Sequence, residues 1–192
     1  MGVEIEKKFL VKALPEDLER FPYHRITQGY LCRHPAVRVR EEIVPADGTE
    51  EIRCYMTYKG IRQAGVLSQV EYNLPLTPEA YAHLLSKADG TVIEKKRVIL
   101  PLPAGSFSPE DIAADERLKG WLSSEGEEAP KIELDLFEGA YEGMKLAEVE
   151  FPSEEIAAKY RPADWLGEEV TGDERYSNAY LAFSRNSDPP SM

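Results

Sequence analysis

The sequence has little with which to staple itself. It carries two cysteines in 192 residues, Cys32 and Cys54, and they stand in no metal-ligand spacing. With no export signal ahead of them they read as free thiols. The three histidines, His24, His34 and His83, share no ligand spacing either. No apolar run approaches the ~20 residues that a membrane helix needs, so no membrane partner is expected. The first residues, MGVEIEKKFLV, lack the basic start, apolar stretch and cleavage site of a secretory signal, which points to a cytoplasmic protein. Positive charge is in deficit: 23 Lys and Arg face 35 Asp and Glu, a net charge of −12. Such a chain does not collect nucleic acid by general attraction. It can hold a small anion only if its basic residues converge on one place.

What is present is period-two alternation. It predicts strands over residues 3–11, 25–32, 36–44, 51–59, 66–74, 91–100, 131–137 and 145–151. Between the fifth and sixth lies a helix, with Thr77 as N-cap, Pro78 and Glu79 in its first turn, Tyr81, Leu84, Leu85 and Ala88 as its apolar stripe, and Gly90 at its end. A weaker helix is expected over 110–123, and residues 153–160 and 173–184 also read helical. One α+β domain over 1–185 results, with a dominant antiparallel sheet, peripheral helices and a frayed tail at 186–192.

The strands separate apolar from charged side chains. Val3, Ile5 and Phe9 oppose Glu4, Glu6 and Lys8; Val37 and Val39 oppose Arg38 and Arg40; Val149 and Phe151 oppose Glu148 and Glu150. Lys59, Glu71, Lys95, Arg97, Glu133 and Asp135 fall on charged faces in the same way. Two arrangements produce this pattern. An antiparallel sheet can leave one face wet and mixed in charge. Alternatively, about eight strands close a small barrel, and the charges then face one another across a lumen. Stripping ions of water costs several kcal/mol each, so a charged lumen must be wet, mutually paired, or filled by counter-charges. A polyphosphate with metal ions supplies both signs. Arg offers bidentate contacts to phosphate oxygens, and carboxylates offer the hard oxygen ligands that Mg²⁺ prefers.

The order of short motifs adds a resemblance. Glu4-Ile5-Glu6-Lys7-Lys8 resembles the N-terminal ExExK signature of CYTH (triphosphate tunnel) proteins. Gln28-Gly29-Tyr30-Leu31, Arg38-Val39-Arg40, Thr57-Tyr58-Lys59, Lys95-Lys96-Arg97, Glu133-Leu134-Asp135 and Glu148-Val149-Glu150 follow in the family's order. The run from Trp165 to Thr171, then Tyr176-Ser177-Asn178, is similar to the ending of short bacterial members. The resemblance implies an eight-stranded antiparallel closed β-barrel that binds a small-molecule polyanion with Mg²⁺ or Mn²⁺. Lys8, Arg38, Arg40, Lys59, Lys95 and Arg97 would hold phosphate oxygens. Glu4, Glu6, Asp135, Glu148 and Glu150 would hold metal, and Glu71 and Glu133 would assist from the lumen. A metal held by Glu4 and Glu6, or by the Glu148–Glu150 pair, would orient a water, while a Tyr30–Lys95 pair would assist proton transfer. Gln69 and Asn73 depart from the family, in which related chains often carry acids at these places.

The implied activity is metal-dependent cleavage of a phosphoanhydride bond in inorganic triphosphate, by a monomer or homodimer. Thiamine triphosphatase and class IV adenylyl cyclase are the enzymatic alternatives, and both need a pocket for an organic group. The sequence offers no aromatic cluster for one. A non-catalytic polyphosphate-binding or nucleotide-binding module is the alternative of another class. It needs fewer carboxylates than the two ExE pairs supply.

Overall fold

The computed structural model describes residues 2–46, 48–60, 68–126 and 129–184. Nine antiparallel strands form one sheet: β1 (Gly2–Val11), β2 (Tyr23–Cys32), β3 (Ala36–Ala46), β4 (Thr49–Lys59), β5 (Ser68–Leu76), β6 (Asp89–Pro101), β7 (Lys131–Glu138), β8 (Lys145–Glu150) and β9 (Leu166–Glu169). Their order is β5-β4-β3-β2-β6-β7-β8-β1-β9. β1 serves three partners. Its first residues pair with β5, from Gly2↔Glu71 to Ile5↔Ser68. Its middle pairs with β8, so that Glu6 lies opposite Glu150 and Lys8 opposite Glu148. Its end pairs with β9 across a register irregularity. The ninth strand corrects the expected eight: its four residues, Leu-Gly-Glu-Glu, are too few and too polar to show alternation. Residues 66 and 67 of the fifth expected strand, and the tail at 186–192, lie outside the described residues.

One face of the sheet is apolar because alternate residues make it so. Phe9, Val98, Leu134 and Val149 are each at most 1% exposed. Against them pack Leu118 of α3 (Glu116–Leu122) and Ile156 and Ala157 of α4 (Glu154–Lys159), with Phe151 and Tyr160 in ring contact at 5.2 Å. Each large side chain so buried stabilises the fold by about 1.5–3 kcal/mol. Trp165 lies against this core. The helix expected over 110–123 is two, α2 (Pro109–Ala114) and α3, because Asp115 leaves helical geometry to cap α3, accepting from the amides of Arg117 and Leu118.

α1 (Pro78–Leu85) starts where expected, with the Thr77 hydroxyl accepting from the Ala80 amide. Its Tyr81 is buried with Val39 and Cys54 of the sheet. Gly90 does not end this helix; it belongs to β6 and has φ +74°. A Cβ there would meet the Ala182 carbonyl oxygen at 2.1 Å, so only glycine lets α5 (Asn178–Phe183) come this close. Residues 173–184 likewise divide, into a 3-10 turn at Glu174–Tyr176 and then α5. Leu181 and Ala182 of α5 pack on Tyr30, Ile93 and Phe137, which makes one end of the charged face apolar. Both cysteines are free, and among the described residues no helix is long and apolar enough to cross a membrane.

Candidate functional site

The polar faces of the strands border one cavity of about 1070 Å³. β1 contributes Glu4, Glu6 and Lys8, and β3 contributes Arg38, Arg40 and Glu42. Lys59, Glu71, Arg97, Glu133, Glu148 and Glu150 add further charge to the lining, with Tyr30 near the end under α5. Lys95 and Asp135, expected at substrate and metal, are not in that lining. They are 1% exposed and lie bonded to each other behind it.

The cations fall into two groups. The first group is held by carboxylates. Arg97 donates to Asp135 through Nε at 2.6 Å and through Nη2 at 2.8 Å, to Glu148 through Nη2 at 2.7 Å, and to Glu133 through Nη1. Lys8 Nζ is 2.8 Å from Glu148 and also donates to the Tyr176 carbonyl. Lys59 donates to Glu4 at 2.6 Å and lies 2.9 Å from Glu71. Burial alone would push these acids up and these bases down, but the partners outweigh it. Asp135 and Glu148 sit below the ordinary carboxyl range, Glu71 falls to about 2, and Arg97 and Lys8 are raised. Lys95 is the exception: burial and then the Arg97 charge pull it down to about 7 against the attraction of Asp135.

The second group is Arg38 and Arg40. Among the described residues neither has a carboxylate within ion-pair distance. Both turn to the amide oxygen of Gln28, which accepts from Arg40 Nε at 3.0 Å, Arg40 Nη2 at 2.8 Å and Arg38 Nη1 at 3.5 Å. Arg40 Nη1 also donates to the Tyr55 hydroxyl at 3.1 Å. Tyr55 reaches Glu42 at 3.4 Å, and His24 Nδ1 lies 2.8 Å from the same carboxylate. Burial raises Glu42, yet the His24 bond and the Arg40 charge bring it down to about 2.

Across the cavity, acids crowd. Glu6 faces Glu150 directly, and like charges opposite one another in a ladder repel. Solvent reaches Glu150 inside the cavity, but protein rings it closely enough that partial desolvation and Glu133, Glu4 and Glu148 push its carboxyl up to about 7. Glu4 is raised by burial and by Glu6 and Glu71, despite Lys59. Among the described residues no three Asp, Glu, His or Cys side chains are drawn together as a ready metal-ligand set. Glu4, Asp135 and Glu148, expected as ligands, are bound to cations instead. Tyr30 makes an edge contact with Phe183 at 6.2 Å, and no hydrogen bond joins it to Lys95 among the described residues.

No family model matches the chain. An inorganic triphosphatase of Nitrosomonas europaea is 34% identical over 185 residues, covering 94% of this chain and 97% of that protein. One of Acetivibrio thermocellus is 32% identical over 182 residues, covering 94% of each. The chain belongs to the CYTH-type short triphosphatases. The crystal structure of the inorganic triphosphatase NE1496 superposes on it with a TM-score of 0.58 at 30% identity, covering 95% of this chain and 99% of that one.

In this CYTH-type triphosphatase the site also contains residues that sequence reasoning did not assign. Gln28, His24, Glu42 and Tyr55 form one polar chain ending at Arg38 and Arg40. The signal for Glu42 was available, since it continues the alternation of Arg38 and Arg40. His24 likewise precedes Gln28 and Tyr30 at even spacing. Ile26, fully buried on that same face, interrupts the polar run and hides it.

Proposed function

We propose that this chain is a divalent-metal-dependent hydrolase of inorganic triphosphate, working inside a tunnel closed by the β1–β5 pairing. One observation carries the reading: the cavity opposes two arginines without carboxylate partners to a surplus of carboxylates. A polyanion bound with divalent cations matches both sides at once. The names of the two relatives support triphosphate as the substrate.

Arg38 and Arg40 bind phosphate oxygens at little electrostatic cost, because no acid must be displaced. Lys8, Lys59 and Arg97 exchange carboxylates for phosphate oxygens as the substrate enters. Glu4, Glu6 and Glu150 would hold Mg²⁺ or Mn²⁺, with Glu148 once Lys8 has turned to phosphate. The donor set fits: all are hard oxygens, and a cation held by them would relieve the Glu6–Glu150 repulsion. Bound metal supplies charge across the phosphate oxygens and acidifies a coordinated water. Behind the wall, Lys95 Nζ holds its proton less firmly than an exposed lysine does. The lining tyrosines favour a naked substrate, since Tyr180 is covered by Arg33 at 5.5 Å and Tyr55 by Arg40 at 5.8 Å.

Phosphate release from tripolyphosphate, ATP and thiamine triphosphate, each with Mg²⁺ and with Mn²⁺, tests this. Tripolyphosphate should turn over fastest, and excess chelator should abolish turnover. Cyclic AMP as the main product from ATP would make it a cyclase. Binding of every triphosphate with no turnover would make it a binding module.

A further inference from the structure

Gln28 is fully buried on β2, directly opposite Arg40, with Arg38 beside Tyr30 one step along the ladder. Its amide oxygen accepts three hydrogen bonds from the two guanidinium groups. Its own amide nitrogen and Arg38 Nε are buried with no hydrogen-bond partner among the described residues. Three other cations bordering the cavity are held by carboxylates: Lys8 by Glu148, Lys59 by Glu4 and Arg97 by three acids. A carboxylate at position 28 would accept the same bonds more strongly. It would also cancel one of the two charges.

Resting on the triphosphatase reading, we propose that Gln28 is a positioning residue that fixes Arg38 and Arg40 as a pair while leaving both positive charges available to the polyanion. A neutral acceptor orients the forks without competing as a counter-ion. The unpartnered N–H groups beside it are donors with the polarity a phosphate oxygen requires. Buried donors without acceptors are unfavourable unless a ligand supplies one. Selectivity for highly charged phosphates then lies in the choice of amide over acid at this one place.

Gln28→Glu separates this role from simple packing, because it keeps size, shape and the accepting oxygen, and replaces the amide N–H donor with a second, negatively charged oxygen. The whole protein is titrated calorimetrically with tripolyphosphate in excess chelator, and KM and kcat are then measured with Mg²⁺. The variant should weaken binding by about tenfold to a hundredfold, the effect of one added negative charge near the anion. Its KM should rise more than its kcat falls, while its unliganded melting temperature stays equal to or above that of the wild type. Gln28→Leu, which frees the guanidiniums and keeps their charge, should lose less affinity than Gln28→Glu. Wild-type affinity in Gln28→Glu, or a greater loss in Gln28→Leu, would overturn the inference and leave the function standing. A wild type that neither binds tripolyphosphate nor turns it over with Mg²⁺ would overturn both.

Discussion

Removing Arg97 should damage the protein before any substrate is involved. Arg97→Met keeps most of the buried stem and deletes the guanidinium. Three carboxylates then lose the group that bonds them: Asp135 at 1% exposure, Glu148 at 8% and Glu133 at 9%. Lys8 and Lys95 remain, but each already serves one of these acids. Breaking a buried ion pair by removing one partner costs about 3–5 kcal/mol. At about 2–4 °C per kcal/mol for a domain of this size, the melting temperature should fall by about 6–20 °C. The loss must also depend on pH. Asp135 and Glu148 are depressed in the folded state, so their pairing stabilises above the ordinary carboxyl pKa of about 4 and is lost as pH falls through the depressed values. Thermal unfolding followed by circular dichroism from pH 3 to pH 8 should show the gap widest near neutrality and closing in acid. A variant melting within a degree or two of the wild type at pH 7.5 would refute the claim that this cluster is a paired, buried network.

Arg38 should behave in the opposite way. Arg38→Ala should leave the unliganded melting temperature unchanged or higher, yet blunt the rise given by tripolyphosphate, which for the wild type at a hundred times Kd is about 2.7 kcal/mol. Lys96→Gln, whose parent amine sits 4.2 Å over the Tyr23 ring away from the cavity, should keep the full rise. An equal response of the two variants would mean an open charged face. For Glu150 the sign reverses: its folded carboxyl is raised to about 7, so protonation stabilises the metal-free fold at low pH and this is lost as pH rises toward 7. In chelator, Glu150→Gln should therefore melt above the wild type at pH 8 and level with it at pH 5; parallel pH profiles would show that the acids do not repel there.

The strands were legible because period two is a backbone property that side-chain burial makes visible. Thus Glu4, Glu6 and Lys8, or Arg38 and Arg40, could be assigned to one face without knowing their partners. Which charged residues stand in front was not legible. Lys95 and Arg97 alternate identically on β6, and only their position along the strand separates a lysine buried against Asp135 from a lining arginine. Partner choice was equally hidden: Gln28 sits ten residues from Arg38 and twelve from Arg40, and an amide in a strand carries no mark of what it accepts. Gly90 looked like a helix stop because a glycine after an apolar stripe usually is one. Its use by the distant Ala182 depends on a contact that no local pattern records.

The threefold pairing of β1 bears on how the chain folds. Glu6 pairs with Glu150, 144 residues further along the chain, and Phe9 with Glu169, 160 residues further, so β1 cannot complete its pairing before those strands exist. Until then β1 lacks its partners along β8 and β9, and the core around Phe9 is incomplete. The second core likewise waits for Leu181 and Ala182. Such long-range pairing is slow. The pairing of β1 therefore stays incomplete until β8 and β9 are available to it.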